Sequence, residues 1–275
     1  TENELVLGRP RGLGAALLEP ARRVRTAMRG APKFSLLFIL VAVIFAIFAP
    51  FIAPYDPIDT DFSAILAPPS GEYLLGTDNM GRDILSRIIF GARISVRVAV
   101  IAVAFAAAVG TLVGLAAGVF RGWVDVVLMR ITDGFMALPS LMVALMVVSL
   151  MGASITNVIL VIALLRWMSF ARVLRGEVLK LMEMDFVRLA HVAGASRPRV
   201  MMRHIFPNIT NTLLVMVTLE VGLAVITESS LSFLGLGLEP GAPAWGIMVA
   251  AGRVVILDLW WLSLFPGVAI TVVVL

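Results

Sequence analysis

The chain has 275 residues, of which 60% are hydrophobic, with a mean hydropathy of +1.01 and a formal net charge of +4. So high an apolar share excludes an ordinary soluble domain and is typical of an integral membrane protein. The sequence has no cysteine, which excludes disulfides, thiolate metal sites and cysteine nucleophiles. Its basic residues lie beside apolar segments, as membrane topology requires, and this argues against nucleic acid as a partner.

The amino-terminal third predicts a cytoplasmic start, one membrane span and an external loop. Residues 1–33 are rich in arginine, which the positive-inside rule places in the cytoplasm. Residues 34–54 are apolar and close to the roughly 20 residues that a helix needs to cross a bilayer. Residues 55–90 are polar, acidic and rich in proline, so we expect them on the outer side.

Within this external loop, residues 76–83 place a helix-capping residue ahead of a short helix that carries Ile84, Leu85 and Ile88. One interpretation is an amphipathic helix at the membrane surface. The other is a contact with an external partner. The polar side chains that would make that contact are Asp78, Asn79, Arg82 and Asp83.

Further apolar segments predict spans at about 95–119, 133–151, 155–175 and 209–234, with a sixth at 260–275 that we expect to be incomplete. Gly110, Gly114 and Gly118 repeat every fourth residue, a spacing that lets two helix backbones approach closely, although glycine is frequent in membrane helices anyway. Pro139 is expected to kink its span, and Arg166 to extend its charge to the inner surface.

Glu220 lies near the middle of the fifth predicted span. A carboxyl group at membrane depth is costly unless it faces a polar cavity, a partner or a protonation site. It therefore indicates a pathway or pairing role, or else a neutral acid bonded to a neighbouring helix. Together with Thr227 and Glu228, it is a candidate for the translocation path.

The most polar interruption of the chain is the loop 182–208, which its arginines place in the cytoplasm. Phe186, Leu189 and Ala193 recur at helical spacing and predict a short amphipathic helix that Gly194 ends. Ser196 can cap a second helix, and Pro207 is expected to break it before the fifth span. The sequence has no phosphate-binding G-x-x-x-x-G-K-[ST] loop, so this helix would instead fit a groove of a soluble subunit that supplies the energy.

This loop resembles the coupling motif of importer-type ABC transporter permeases, whose pattern is Glu-Ala-Ala, three residues, glycine and then Leu-Pro. Ala190 and Gly194 match the pattern, 206–207 stands for Leu-Pro, and Arg188 replaces the leading glutamate. The resemblance implies that the residues in contact with the ATPase are Asp185, Phe186, Arg188, Ala190, Gly194, Ala195, Ser196, Arg199 and Arg203.

Residues 75–83 with 86–87, and residues 230–237, 245–246 and 265–267, look like the second permease of the dipeptide and oligopeptide importers. The resemblance implies an all-α integral membrane protein of the bacterial inner membrane, with six transmembrane helices, a coupling helix and a cytoplasmic N-terminus. It also implies a second homologous permease, two ABC ATPases that hold ATP and magnesium, and an external peptide-binding protein. No cofactor or catalytic residue is assigned to this chain.

Three alternatives remain open. The same type of ABC importer could instead import nickel chelates, glutathione or another small solute. A secondary transporter could use Glu220 as a proton or sodium site, and a membrane scaffold would transport nothing.

Overall fold

The structure is a computed structural model that describes residues 33–239 and 241–274. The predicted cytoplasmic segment 1–33 therefore lies outside the described residues, apart from Lys33. Chain contacts group residues 1–40 as one unit and residues 41–275 as another. The helices of the described part are α1 (Lys33–Ile52), α2 (Ile84–Phe120), α3 (Gly122–Met136), α4 (Ser140–Met151), α5 (Ile155–Met182), α6 (Asp185–Val192), α7 (Arg197–Val200), α8 (Phe206–Phe233), α9 (Trp245–Gly252) and α10 (Trp261–Val274).

Three helical stretches are long and apolar enough to cross a membrane: α2, α5, and the run from Arg197 to Phe233 that joins α7 to α8. The pair α3 and α4 adds a fourth candidate if it is counted as one broken span. α1, α9 and α10 contribute shorter apolar helices. The described chain is thus all-helical with three or four candidate spans, and the count of six stays a prediction.

α2 begins 11 residues before the predicted span at 95, so the short surface helix expected at Ile84 is wrong. Asp83 explains the early start, because its carboxylate accepts a hydrogen bond of 2.7 Å from the Ser86 amide and caps the helix. Gly91 lies inside the helix with the Trp245 side chain close to it, so this glycine serves packing and does not end the helix.

The expected kink at Pro139 is a full break. α3 and α4 meet at 82°, and Pro139 has an extended backbone as the residue before α4. Proline lacks the amide hydrogen that a continuous helix would need there. Residues 122–136 form the helix α3, which begins 11 residues before the span predicted at 133. Arg175 on α5 donates two hydrogen bonds of 2.5 and 2.6 Å to Asp125 on this helix.

The core is built on the contact between α2 and α5. A Cβ added to Gly114 would lie 2.8 Å from the Ala171 carbonyl oxygen, and one added to Gly118 would lie 2.5 Å from a Val178 methyl carbon. Gly110 is equally close to Phe170. These distances are shorter than side chains tolerate, so the close backbone approach predicted from the glycine repeat is confirmed.

α8 and α9 complete the core against α2. The Trp245 indole donates a hydrogen bond of 2.9 Å to the Ile88 carbonyl, which joins α9 to the first turns of α2. Pro207, expected to break a helix, instead lies in the first turn of α8, directly after the π-helical turn Met201–Ile205. The first turn of a helix tolerates proline, so the helical run continues.

Candidate functional site

The loop between α5 and α8 presents an exposed apolar surface. Val187 is fully buried and anchors α6, whereas Phe186, Leu189 and Val192 are 40%, 66% and 86% exposed. The apolar face that the spacing predicts for α6 therefore points away from the chain. Exposed apolar patches of this kind mark contact sites for other proteins or for a membrane.

The nine residues predicted to contact an ATPase all reach the surface of this loop or its edge. Ala190 and Ala195 are half-buried, and the other seven are exposed. Gly194 has φ of +80° and ends α6 as predicted, because only glycine adopts this left-handed conformation at no steric cost. Ser196 precedes α7, but its side chain makes no capping hydrogen bond.

A three-residue charge cluster fixes the position of α6. The Glu183 carboxylate accepts hydrogen bonds of 2.7 Å from Arg121, at the end of α2, and 3.0 Å from Arg188, on α6. The bond from Arg121, with that from Arg188, holds the pKa of Glu183 below its usual value. Arg188 thus has a partner within its own chain, which the sequence pattern alone did not reveal.

A second polar centre lies between α5 and α8, near the middle of both helices. The Arg166 guanidinium lies 3.5 Å from the Glu220 carboxylate and donates hydrogen bonds of 2.7 Å to the Thr227 hydroxyl and 3.2 Å to the Leu223 carbonyl. The expectation that Arg166 extends to the inner surface is therefore wrong. Of the interpretations left open for Glu220, the structure shows pairing with a charge on a neighbouring helix.

Glu228 belongs to a separate and fully buried cluster. Its two carboxylate oxygens accept hydrogen bonds of 2.9 Å from Ser95 on α2 and 2.8 Å from Ser232 on α8. Thr227, the third path candidate, is half-buried beside Arg166. The structure therefore brings Glu220 and Thr227 to one centre and places Glu228 in the packing between α2 and α8.

The segment before α2 is held by its own polar side chains. Asp78 accepts hydrogen bonds from the Met80 and Arg82 amides and from the Arg82 side chain, at 2.8, 3.1 and 2.7 Å. Asp78, Arg82 and Asp83 are buried, and only Asn79 of the four predicted contact residues is exposed. Three of these side chains thus stabilise the loop itself.

Arg87 is the residue in this segment whose role the sequence did not indicate. It is almost fully buried and donates hydrogen bonds to three carbonyl oxygens, at 2.9 Å to Pro57, 3.3 Å to Gly241 and 3.2 Å to Ala242. It therefore ties the start of α2 to two loops distant in sequence. Within the described residues, no group of three or more acidic, histidine or cysteine side chains is arranged to hold a metal ion.

These features define a multi-pass helical membrane protein with an exposed apolar surface on the loop between two of its long apolar helices. Residues 110–275 match the family of binding-protein-dependent transport system inner membrane components. Residues 32–69 match the N-terminal transmembrane domain of oligopeptide transport permease C. The chain belongs to this family, and it is the permease subunit, not the ATPase, of an ABC importer.

Three curated relatives cover most of the chain. A glutathione transport system permease of Escherichia coli O6:K15:H31 is 40% identical over 92% of this chain and 82% of its own length. The probable D,D-dipeptide transport system permease of Escherichia coli K12 is 36% identical over 88% of this chain and 82% of its own. A glutathione transport system permease of Pectobacterium atrosepticum is 36% identical over 87% and 80%.

Proposed function

We propose that this permease imports short peptides. Dipeptides and oligopeptides are the primary candidate cargo, and glutathione is the close alternative. The similarity to a dipeptide permease, to glutathione permeases and to the oligopeptide permease C domain supports this cargo class. As a family member, the chain works with ATPase and substrate-binding components. We further propose a heterodimer with a homologous permease, six spans in the bacterial inner membrane, and a cytoplasmic N-terminus.

The observation that carries the coupling role is the outward apolar face of α6. Val187 fixes the helix to the protein, so Phe186 and Leu189 are free to enter a groove of a partner. The exposed Arg199 and Arg203 add positive charge beside that face. We propose that α6 and the Gly194 turn form the coupling helix. ATP and magnesium would lie on the partner ATPases.

The test of the coupling role is assembly and transport of the reconstituted importer in proteoliposomes. Leu189→Asp places a charge on the apolar face, and we expect it to release the ATPase subunits and abolish ATP-driven uptake. Ile58→Asp is the matched control, because Ile58 is 67% exposed in the external loop before α2. The control should retain the ATPases. Undiminished ATPase retention and uptake in Leu189→Asp would contradict the coupling role.

The test of the cargo is uptake of dialanine, trialanine, glutathione and a nickel chelate, each delivered by the importer's own binding protein. We expect the peptides to enter only when ATP is present inside the vesicles. A secondary transporter would move solute without ATPase subunits. Uptake of the nickel chelate alone would reject the peptide cargo.

A further inference from the structure

We infer that Arg166 and Glu220 form a recognition point for zwitterionic solutes on the translocation path, where the guanidinium takes a carboxylate and the Glu220 carboxylate takes an ammonium group. This inference rests on the proposed import of peptides. It adds to that function a pair of residues that select the cargo by its charges.

The location of the pair is the first argument. Both residues lie close to the midpoints of membrane-length helices, where a charge exposed to lipid is costly. Nevertheless, 22% of the Arg166 side chain is exposed at the surface of the chain. The surface around this guanidinium must therefore face water or another protein and not the acyl chains of the bilayer.

The incomplete bonding of the pair is the second argument. The closest approach of the two side chains is 3.5 Å, longer than a charged hydrogen bond, and one buried Glu220 oxygen has no hydrogen-bond partner among the described residues. Leu219 and Leu223 are exposed beside the pair.

The charge balance is the third argument. A free peptide carries one carboxylate and one ammonium group, so it can exchange with the internal pair and leave both protein charges compensated. A solute with a single charge would leave one protein charge unpaired, and an unpaired buried charge is strongly unfavourable. The arginine has five donors, of which those on Nη2 already bind Thr227 and Leu223, so the guanidinium is held in place to receive a carboxylate.

The experiment compares the charge preference of wild-type and variant importers in proteoliposomes. The probes are dialanine, its N-acetyl derivative, which is an anion, and its C-terminal amide, which is a cation. Binding of each probe to the external binding protein is measured separately, and uptake is measured with that protein saturated. We expect the wild type to transport dialanine at least tenfold faster than either derivative.

The two neutralising variants should shift this preference in opposite directions. Glu220→Gln leaves the positive charge, so the anionic probe should gain about tenfold relative to dialanine, whereas Arg166→Gln should favour the cationic probe. Thr218→Val, an exposed position on the same helix, should keep the wild-type preference. Equal loss of uptake for all three probes in both variants would show that the pair is only a brace between α5 and α8, and would overturn the inference.

Two further results separate the inference from the proposed function. If the wild-type importer transports none of the peptide probes, the peptide function fails and the recognition point fails with it. If a neutralising variant does not assemble, Arg166→Lys decides, because it keeps the charge and loses the planar donor geometry. We expect its uptake of dialanine to fall several-fold with the charge preference intact. Unchanged uptake of dialanine by Arg166→Lys would overturn the inference.

Discussion

Arg188 donates a hydrogen bond of 3.0 Å to Glu183, five residues earlier in the same chain. In the coupling pattern of ABC importers, the position of Arg188 carries a glutamate. In this chain the acidic residue is Glu183, which accepts hydrogen bonds from both Arg188 and Arg121. It thereby links α6 to the end of α2. The reversed charge at Arg188 therefore has an acidic partner within the permease.

Reversal of Arg188 tests this balance. Arg188→Glu places two acids side by side, so we expect ATP-driven uptake to fall several-fold. Because the three side chains are largely exposed, the thermal unfolding temperature of the purified permease should change little. The double variant Glu183→Arg with Arg188→Glu restores the pair and should recover part of the uptake. A double variant no better than Arg188→Glu alone would contradict the role of the pair.

Gly114→Ala should destabilise the protein by about 1–3 kcal/mol, because the added methyl group meets the Ala171 carbonyl oxygen in a tightly packed interface. The matched control is Gly176→Ala on α5, where an added Cβ meets nothing within 4 Å. That control should be neutral or stabilising by up to about 1 kcal/mol through helix propensity. Thermal unfolding in detergent measures both, and equal effects would argue against the close α2–α5 contact.

Removal of the buried carboxyl group at Glu228 should also destabilise the fold. Glu228→Ala leaves the Ser95 and Ser232 hydroxyls without their acceptor, at a cost of about 1–3 kcal/mol for each unsatisfied group. Glu228→Gln keeps an acceptor and should cost less. The unfolding temperatures of the two variants provide the comparison. If alanine is tolerated as well as glutamine, the serine cluster contributes little to the α2–α8 contact.

Arg87→Met should loosen the segment before α2, because three carbonyl oxygens and Asp78 lose their shared partner. Each buried carbonyl oxygen left without its hydrogen bond costs about 1–3 kcal/mol, while Asp78 keeps its ion pair with Arg82. Limited proteolysis should then cleave the variant faster between residues 57 and 78. Arg93→Met, an exposed arginine on the same helix, should resist protease as the wild type does. If protease cleaves both variants at the same rate, Arg87 does not hold the start of α2 to the two loops.

The sequence predicted local features well. The all-helical membrane class, the end of α6 at Gly194 and the close approach at Gly110, Gly114 and Gly118 all follow from short-range composition and spacing. Helix boundaries were less predictable. Hydropathy indicates which residues of a helix can contact lipid. The start of α2 is instead set by Asp83, which caps the helix from within a polar segment.

Side-chain partners could not be predicted from one sequence, since they depend on the tertiary arrangement. Ser95 and Glu228 are separated by 133 residues, and Arg166 and Thr227 by 61. The sequence pattern identified Glu220 as a residue that needs a partner, because the cost of burying a carboxyl group at membrane depth can be read from its position in an apolar segment. It gave no means of naming Arg166 as that partner.

The interlocked glycines of α2 also have a mechanical consequence. Since the Gly114 contact leaves no room for a side chain, α2 and α5 pack closely along this stretch, and we expect them to move as one unit. With 37 residues, α2 is about 55 Å long at 1.5 Å per residue. A tilt of roughly 10° at the Phe120 end would therefore displace Ile84 by about 10 Å at that length. Arg87, in the first turn of α2, would carry with it the two loops that its hydrogen bonds reach, at Pro57 and at Gly241.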